Sequence, residues 1–470
     1  MYQLRNYQQE AVAKGISFLK GSEQGGAIIV APTAAGKSLY IASIANALDG
    51  KTLVLQPSQE ILISNYEKMI TYVDESEIGV FSASCNRKDI SRITFATIGS
   101  IINKKELFDD FQHLIIDECH AVNAKGGMYE ELINYLGGKC LGMTATPYRL
   151  YAYNDFKTGQ LSVVAKFLHR TRPRLFNKII HITQIQDLYN QGFLCPIEYK
   201  LSSDYNHSEI KLNSTGMDFD ENSLLAYNET HSVIQKASKI IQEESAKHLL
   251  VFMSSVEEAT RLAQNLKAGG ILGAIISAKT PKKERADILK QFKEGKIRVV
   301  TNFGTLTTGY DFPELDCVIL GRPTQSVALY YQMVGRGIRI APGKEKTKII
   351  DICGNVKRFG KIENFEIVEE IPNLHRLRSD TSYLTGFDFY HNQDIESTGY
   401  SGLREVEWAG HDNIVQFGKH KGLHITKVPN DYLNWCVENL TGKWQKNFQK
   451  EKERREESAM KKRMELVSPF

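Results

Sequence analysis

The chain has no pair of cysteines spaced C-x-x-C. Its seven cysteines, at positions 85, 119, 140, 195, 317, 353 and 436, are odd in number and scattered over 470 residues. That pattern excludes a disulfide framework and a compact zinc site, and reads as reduced, buried thiols. No apolar run approaches the roughly 18 residues a membrane span needs. The N-terminus, MYQLRNYQQE, shows none of the charged, apolar and small-residue order of a secretory signal. The expectation is a cytoplasmic protein with no membrane partner. Low-complexity tracts and internal repeats are also missing, and so is a global positive field. The formal net charge is +4, and residues 443–470 carry nine Lys/Arg against five Asp/Glu, which leaves 50 of each sign elsewhere. A polyanion held by the body of the protein must therefore meet local patches or backbone N–H groups.

What is present is alternation. A chain of this length is expected to hold two or three domains. Short β-rich runs (GAIIVAP, TLVLQP, RITFAT, HLIIDE, CLGMTAT, then HLLVFMSS, GAIISA, IRVVTN, DCVILG) are separated by amphipathic stretches such as 281–292. Apolar runs bounded by turn residues read as parallel strands with crossover helices, so two groups of them predict two doubly wound α/β lobes. We place the first at 1–190, including an irregular basic and aromatic stretch at 148–176, and the second at 196–366. Beyond Arg358 the alternation fades. Residues 367–470 read as a linker, a small accessory module holding all three tryptophans (408, 435, 444), and a basic tail.

The stretch VAPTAAGKSLY, residues 30–40, nearly matches the phosphate-binding pattern G-x-x-x-x-G-K-[ST], with Ala31 at the first glycine position. It follows an apolar strand and precedes a helix, as that loop requires. Backbone N–H groups of Thr33, Ala34, Ala35 and Gly36 and the helix N-terminus form an anion site, Lys37 reaches the outer phosphates, and Ser38 can ligate Mg²⁺. Ala31 is tolerable if its φ is negative, because only glycine takes positive φ freely. LIIDECH, residues 114–120, ends a predicted strand of the same sheet in two adjacent carboxylates. Asp117 would hold the metal through water, and Glu118 would orient and deprotonate the attacking water. Upstream, Arg5 and Gln8 sit before the first strand, where an amide could read an adenine edge and select ATP. GMTATP offers Thr144 and Thr146 as a link from the nucleotide to another ligand.

The second lobe adds YYQMVGRGIR, in which Gln332, Arg336 and Arg339 are spaced i, i+4, i+7 on what reads as one helical face. The arginines would act in cis on the γ-phosphate, supported by Gly309 and Asp311 of TTGYDFP.

Together these motifs resemble the superfamily 2 DExH helicases over residues 1–360, in family order: LRNYQQEAV, APTAAGKS, LQPSQEIL, FATIGSI, DECH, TATP, VFMSSVEEA, VVTNFGTLTTGYDFP and QMVGRGIRIAPGK. The run from TTGYDFP through IIDICGNVKRFG is most similar to RadD-type and phage branch-migration helicases. It lacks the cysteine-rich zinc-binding C-terminus of the bacterial RadD proteins; residues 413–439 instead resemble a small FGKxKG…VPxDYLxW module of DNA-processing proteins. The resemblance implies two tandem RecA-like domains with ATP and Mg²⁺ as cofactors. It assigns nucleotide contacts to Arg5, Gln8, Thr33, Gly36, Lys37 and Ser38, and hydrolysis to Asp117, Glu118, Gln332, Arg336 and Arg339. Pro57, Ser58, Thr97, Ser254, Ser255, Thr301 and Asn302 match positions that hold one strand's phosphodiester backbone without reading bases. Ala31 fits as well, since many members begin the loop with Ala.

The expected function is an ATP-driven helicase or translocase that remodels branched DNA, by branch migration, fork reversal or joint-molecule unwinding, in recombination, replication or repair. The alternatives are an RNA helicase and a motor subunit of a defence or restriction complex. Only the short stretch 314–331 separates TTGYDFP from QMVGRG, too little for a strand-splitting hairpin there. The branch point is therefore assigned to residues 148–176 and 400–462, with Lys419, His420, Lys421 and the basic tail on phosphates.

Overall fold

The structure, a computed structural model, describes residues 3–123, 126–154, 161–171, 173–202, 205–307, 309–380 and 382–385, and in the C-terminal portion 415, 420, 425, 428–440, 444–445, 447–453 and 455. The first lobe is built on β1 (Gly26–Val30), β2 (Lys51–Gln56), β3 (Ile78–Ser82), β4 (Arg87–Lys88), β5 (Ile93–Thr97), β6 (Phe111–Asp117) and β7 (Cys140–Thr144). It is closed at one edge by a later strand, Phe176–Ile182. The order across the sheet is Phe176–Ile182, β1, β7, β6, β2, β5, β3, β4, parallel throughout except for the short β3–β4 pair. Strands buried on both faces need apolar side chains at every position rather than every second one. β1 and β7 are buried along their whole length, which is why GAIIV and CLGMT read as continuous runs. Helices α1 (Asn6–Lys20), α2 (Lys37–Ala47) and α3 (Gln59–Met69) cover the sheet.

The stretch 148–176, expected from the sequence to be irregular, instead holds two paired strands among its described residues. β8 (Tyr148–Asn154) and β9 (Leu161–Phe167) pair antiparallel as a separate ribbon, in register from Tyr148↔Phe167 to Asn154↔Leu161. The period of two in YRLYAY is that of a strand. The Tyr148 and Phe167 rings meet edge-on, with centroids 5.6 Å apart, and anchor the ribbon in the first lobe's core. The chain then enters β10 (Phe176–Ile182), which pairs with β1.

The second lobe is an all-parallel six-stranded sheet of β11 (Ile197–Leu201), β12 (Leu249–Met253), β13 (Gly273–Ile276), β14 (Val299–Asn302), β15 (Cys317–Gly321) and β16 (Thr347–Asp351), in the order β11, β16, β15, β12, β14, β13. Residues 367–385 are likewise not linker. They belong to an antiparallel meander of β17 (Phe365–Ile371), β18 (Leu374–Ser379) and β19 (Ser382–Tyr383). The meander returns to the first lobe. The Gln184 carboxamide bonds both backbone groups of Ile367, at 3.0 and 2.7 Å, and a His169 ring nitrogen lies 3.2 Å from the Asn373 carbonyl. Such long-range pairing leaves little local signal, because the partner strand lies on another part of the chain.

The C-terminal portion has its own small core of Val415, Ile425, Val428, Tyr432, Leu433, Cys436, Trp444 and Phe448 around helix Asn430–Asn439. Trp435, 50% exposed, points away from it and stacks on Tyr432. Among the described residues no helix is long and apolar enough to cross a membrane.

Candidate nucleotide site between the lobes

β1 delivers the chain into its loop at Ala31, whose N–H donates to the Thr144 carbonyl at the end of β7, 3.0 Å away. Ala31 is fully buried and outside the left-handed region, as its methyl requires. The positive φ values fall later, at Ala34 (68°) and Gly36 (87°). Gly36 caps α2 in the left-handed conformation. A Cβ there would also stand 2.7 Å from Nε2 of Gln8, so glycine is needed both for its φ and for close approach. Gln8 explains that approach. Its Nε2 donates to the Ala35 carbonyl at 2.9 Å, while its Oε1 accepts from the Arg5 N–H at 2.9 Å. The carboxamide thus fastens the loop to α1. Ala34 is a strained position that sequence reasoning missed; alanine gives no composition signal for a left-handed φ.

The loop opens on a cleft of about 380 Å³, lined by Arg5, Thr33, Gly36, Lys37, Ser38, Asp117 and Glu118 from the first lobe and by Gly309, Asp311, Arg336 and Arg339 from the second. The residues brought together here come from both lobes. Phe193, not anticipated, also lines it, with the Arg5 guanidinium 3.8 Å over its ring.

β6 places the two carboxylates. Asp117 is buried and accepts from Asn65 Nδ2 at 3.0 Å and from the Glu118 N–H at 2.9 Å. Burial pushes its carboxyl up to about 6, against the attraction of Lys37. Glu118 has a left-handed φ of 48°, a strained conformation of the kind that concentrates at functional sites. One of its oxygens pairs with the Lys37 ammonium, and the other is 3.2 Å from His120 Nδ1. Burial raises the Glu118 carboxyl, but Lys37 and His120 together pull it well below the usual carboxylate range.

His120, which stands in the quoted motif but was given no role by the sequence reading, is brought to this site by its contacts. Its Nδ1 lies 2.9 Å from Thr144 Oγ1, which in turn accepts from the Thr146 N–H at 3.0 Å, and its Nε2 lies 3.2 Å from Gln332 Nε2 in the second lobe. The imidazole therefore touches the Glu118 carboxylate, the Thr144 turn and the opposite lobe at once. The signal for it was its place two residues after Glu118, on the turn that leaves the strand.

Gln332, Arg336 and Arg339 do not share one helical face, contrary to the i, i+4, i+7 expectation. The helix Val327–Val334 ends before the arginines. Gly335 and Gly337 follow because the chain must pass very close to its neighbours. A Cβ at Gly335 would lie 3.0 Å from Thr33 Oγ1 of the other lobe, and one at Gly337 would lie 2.5 Å from Thr347 Cγ2. Both arginines thus ride on a loop. Arg336 donates to the Tyr310 carbonyl at 2.7 Å, and Arg339 pairs with Asp311. Burial pulls Arg339 down to about 10. Gly309, φ 75°, is a second contact point, where a Cβ would stand 3.2 Å from Ile61 and 3.4 Å from Ser58 Oγ.

The residues expected to grip a phosphodiester backbone sit at the C-terminal ends of parallel strands in both lobes, the edge where open α/β sheets bind ligands. Ser58 and Ser255 occupy equivalent positions, each capping a helix with its hydroxyl, α3 in one lobe and Val256–Ala268 in the other. Pro57 is exposed beside Ser58, and Thr97 joins Ser82 and Ser100 in a hydroxyl cluster. Three assignments need correction at the level of side chains. Ser254 is buried between Asn228 and Gly321, Thr301 donates to the Ala259 carbonyl, and Asn302 Oδ1 accepts from the Thr305 and Leu306 N–H groups. Their side chains shape the loops from inside, because the strand ends that carry them are packed under helices. Of the residues assigned to the branch point, Lys419, Lys421, Tyr400, Trp408 and the tail beyond Arg455 lie outside the described residues.

Residues 1–149 match the family described as type III restriction enzyme, res subunit, and residues 232–341 match the helicase conserved C-terminal domain. The chain is 26% identical over 399 residues to IRC3 of Saccharomyces cerevisiae, whose name marks it as an ATP-dependent helicase; the match covers 80% of this chain and 54% of that protein. It is 27% identical over 365 residues to the DNA 3'-5' translocase XPB2 of Sulfurisphaera tokodaii, covering 72% of this chain and 79% of that one. The solved fragment of a type I restriction enzyme HsdR subunit from Vibrio vulnificus YJ016 superimposes with a TM-score of 0.56 at 21% identity, over 77% of this chain and 66% of its own. At that identity the likeness concerns the fold.

Proposed function

The chain belongs to the superfamily 2 DExH helicases, and from that premise we propose that it is an ATP-driven DNA translocase that remodels branched DNA in the cytoplasm during recombination, replication or repair. The observation that carries the reading is the cleft itself, whose one wall holds the phosphate loop and paired carboxylates and whose other wall holds Arg336 and Arg339. Neither lobe alone has both.

The residues fit a nucleotide with its metal. The backbone hollow at Gly36 has no room for a side chain, and Ser38 and Asp117 bring hard oxygen donors to the same cleft. Mg²⁺ held by Ser38 and Asp117 would neutralise charge on the transferring phosphoryl group. Lys37 leaves Glu118 to meet the incoming phosphates, and the carboxylate so released accepts the proton of the attacking water. Arg336 and Arg339 turn from Tyr310 and Asp311 to the γ-phosphate, which draws the lobes together; His120 passes the change to Gln332 and Thr144. Hydrolysis and release reopen the cleft, and the strand-end loops of the two lobes move relative to each other along one DNA strand. The ribbon β8–β9, which stands outside both parallel sheets, and the C-terminal module with its exposed Trp435 are the elements available to hold the branch point, an aromatic ring stacking on an unpaired base.

A motor role in a restriction or defence complex is a second reading, favoured by the match of residues 1–149 to the res-subunit family. ATPase rate and strand displacement compared on single-stranded DNA, duplex, fork, four-way junction and RNA test the first reading. It expects the greatest displacement on the fork and the junction. Equal or greater response to RNA refutes it, and co-purification of a nuclease or methyltransferase subunit favours the second.

A further inference from the structure

The arginine loop is held from below by Lys344, the last residue of QMVGRGIRIAPGK, to which the sequence reading gave no role. In Ala341-Pro342-Gly343-Lys344 the Lys344 N–H closes on the Ala341 carbonyl at 3.1 Å, with Gly343 at φ 74°; Pro then Gly at the two central positions is the signature of a type II turn. The turn sends the Lys344 side chain back beneath its own loop. There the ammonium meets three backbone carbonyls: Pro313 at 2.9 Å, Gly337 at 2.6 Å and Arg339 at 2.9 Å. An ammonium has three donors, and all three are used. Two of the carbonyls lie in the loop that carries Arg336 and Arg339. The third ends the segment that carries Tyr310 and Asp311, the partners of those arginines.

We propose that Lys344 is a positioning residue for ATP hydrolysis, a pin through three carbonyls that sets the arginine loop and the 309–313 loop in one geometry facing the phosphates. This rests on the ATPase reading above. The side chain does not line the cleft; it acts through the arginines. Loss of the pin lets the guanidiniums shift, and displacement of about 1 Å can cost on the order of 10²-fold in rate.

The pin also has a pH range. Burial pulls the amine down to about 8; Cys195, Asp316 and Glu314 face it and favour its charge, while Arg339 opposes it. A deprotonated amine has two hydrogens for three carbonyls, so the clamp loosens as pH rises through that value. The folded-state value lies below that of free lysine, so over this range the unfolded chain binds more protons and the group makes the fold more stable as pH rises. An alkaline fall in turnover from Lys344 is therefore not a fall in stability.

The experiment compares full-length wild type, Lys344→Arg and Lys344→Met for DNA-stimulated kcat, KM for ATP and Tm from pH 6.5 to 9.5, with an Arg339→Ala pair to complete a double-mutant cycle. The expected results are an alkaline limb in wild-type kcat near pH 8 without a fall in Tm, and its displacement upward in Lys344→Arg, whose guanidinium stays charged. Lys344→Met should lose roughly 10²-fold in kcat with KM near wild type, and much less when added to Arg339→Ala, because residues acting as a unit are not additive. Equal losses in both backgrounds, or a wild-type profile flat across pH 8, overturn the proposal. Should Lys344→Met fail to fold, the wild-type and Lys344→Arg profiles decide alone. Absence of any wild-type ATPase activity overturns the underlying reading, a result distinct from active protein indifferent to Lys344.

Discussion

Glu118→Gln separates two jobs that one carboxylate performs. Glu118 pairs with Lys37, and both side chains are largely buried, at 18% and 15% exposure. Lys37 must break that pair to reach the phosphates, so part of the binding energy of ATP is spent on separating it. A hydrogen bond to a charged group is worth about 1.5–3 kcal/mol net. The amide replaces it with a weaker neutral contact and leaves the lysine free. Affinity for ATP should then rise roughly ten- to a hundredfold, since each tenfold is about 1.4 kcal/mol. The same change removes the proton acceptor for water, which should lower turnover by about 10² to 10⁴. Equilibrium binding of a fluorescent ATP analogue, followed by single-turnover hydrolysis with and without DNA, measures both. Weaker or unchanged binding in Glu118→Gln would refute the idea that the pair is broken on the way to catalysis, and ordinary turnover would remove Glu118 from the mechanism.

Arg336→Ala and Arg339→Ala should each depress ATP hydrolysis by roughly 10³ to 10⁵ if they stabilise transition-state charge, without rescue by Lys, which lacks the planar fork; unchanged kcat in both would show that the second lobe does not complete the site. Gly36→Ala forces a methyl into the left-handed region, at about 1–2 kcal/mol, and into Gln8, so ATP affinity should fall about tenfold or more in a titration while Tm changes little; affinity equal to wild type would contradict the tight Gln8 approach. Truncation after Thr385, which spares the meander, should leave single-stranded DNA-stimulated ATPase intact and reduce binding to four-way junctions in a mobility-shift assay. Full junction binding would remove the C-terminal module from the branch point.

The linear sequence was sufficient for whatever depends on local pattern. Buried parallel strands need uninterrupted apolar runs, so GAIIV, LIID and LLVFM announced both sheets. The placement of the 31–38 loop and of the Asp117–Glu118 pair was legible for the same reason, since each is a contiguous stretch bound to the end of one strand.

Contacts between distant segments were decided only by the tertiary structure. Nothing near Gly335 indicates that its missing side chain makes room for Thr33, some three hundred residues earlier, and nothing in DECH says that His120 will face Gln332. The spacing of Gln332, Arg336 and Arg339 suited a helix, but close packing against Thr347 and the other lobe ended the helix at Val334 and put the arginines on a loop. Thr301 and Asn302 carry polar groups that look available in sequence; burial under their own lobe spends the Thr301 hydroxyl and Asn302 Oδ1 on internal bonds. Periodicity reports which face of an element is apolar, whereas the partner of a polar group is chosen by where two remote segments meet. For that reason the half of the cleft built from residues 31–38 and 117–118 could be located from the chain, and the contacts of Lys344, whose three carbonyls come from two separate loops, could not.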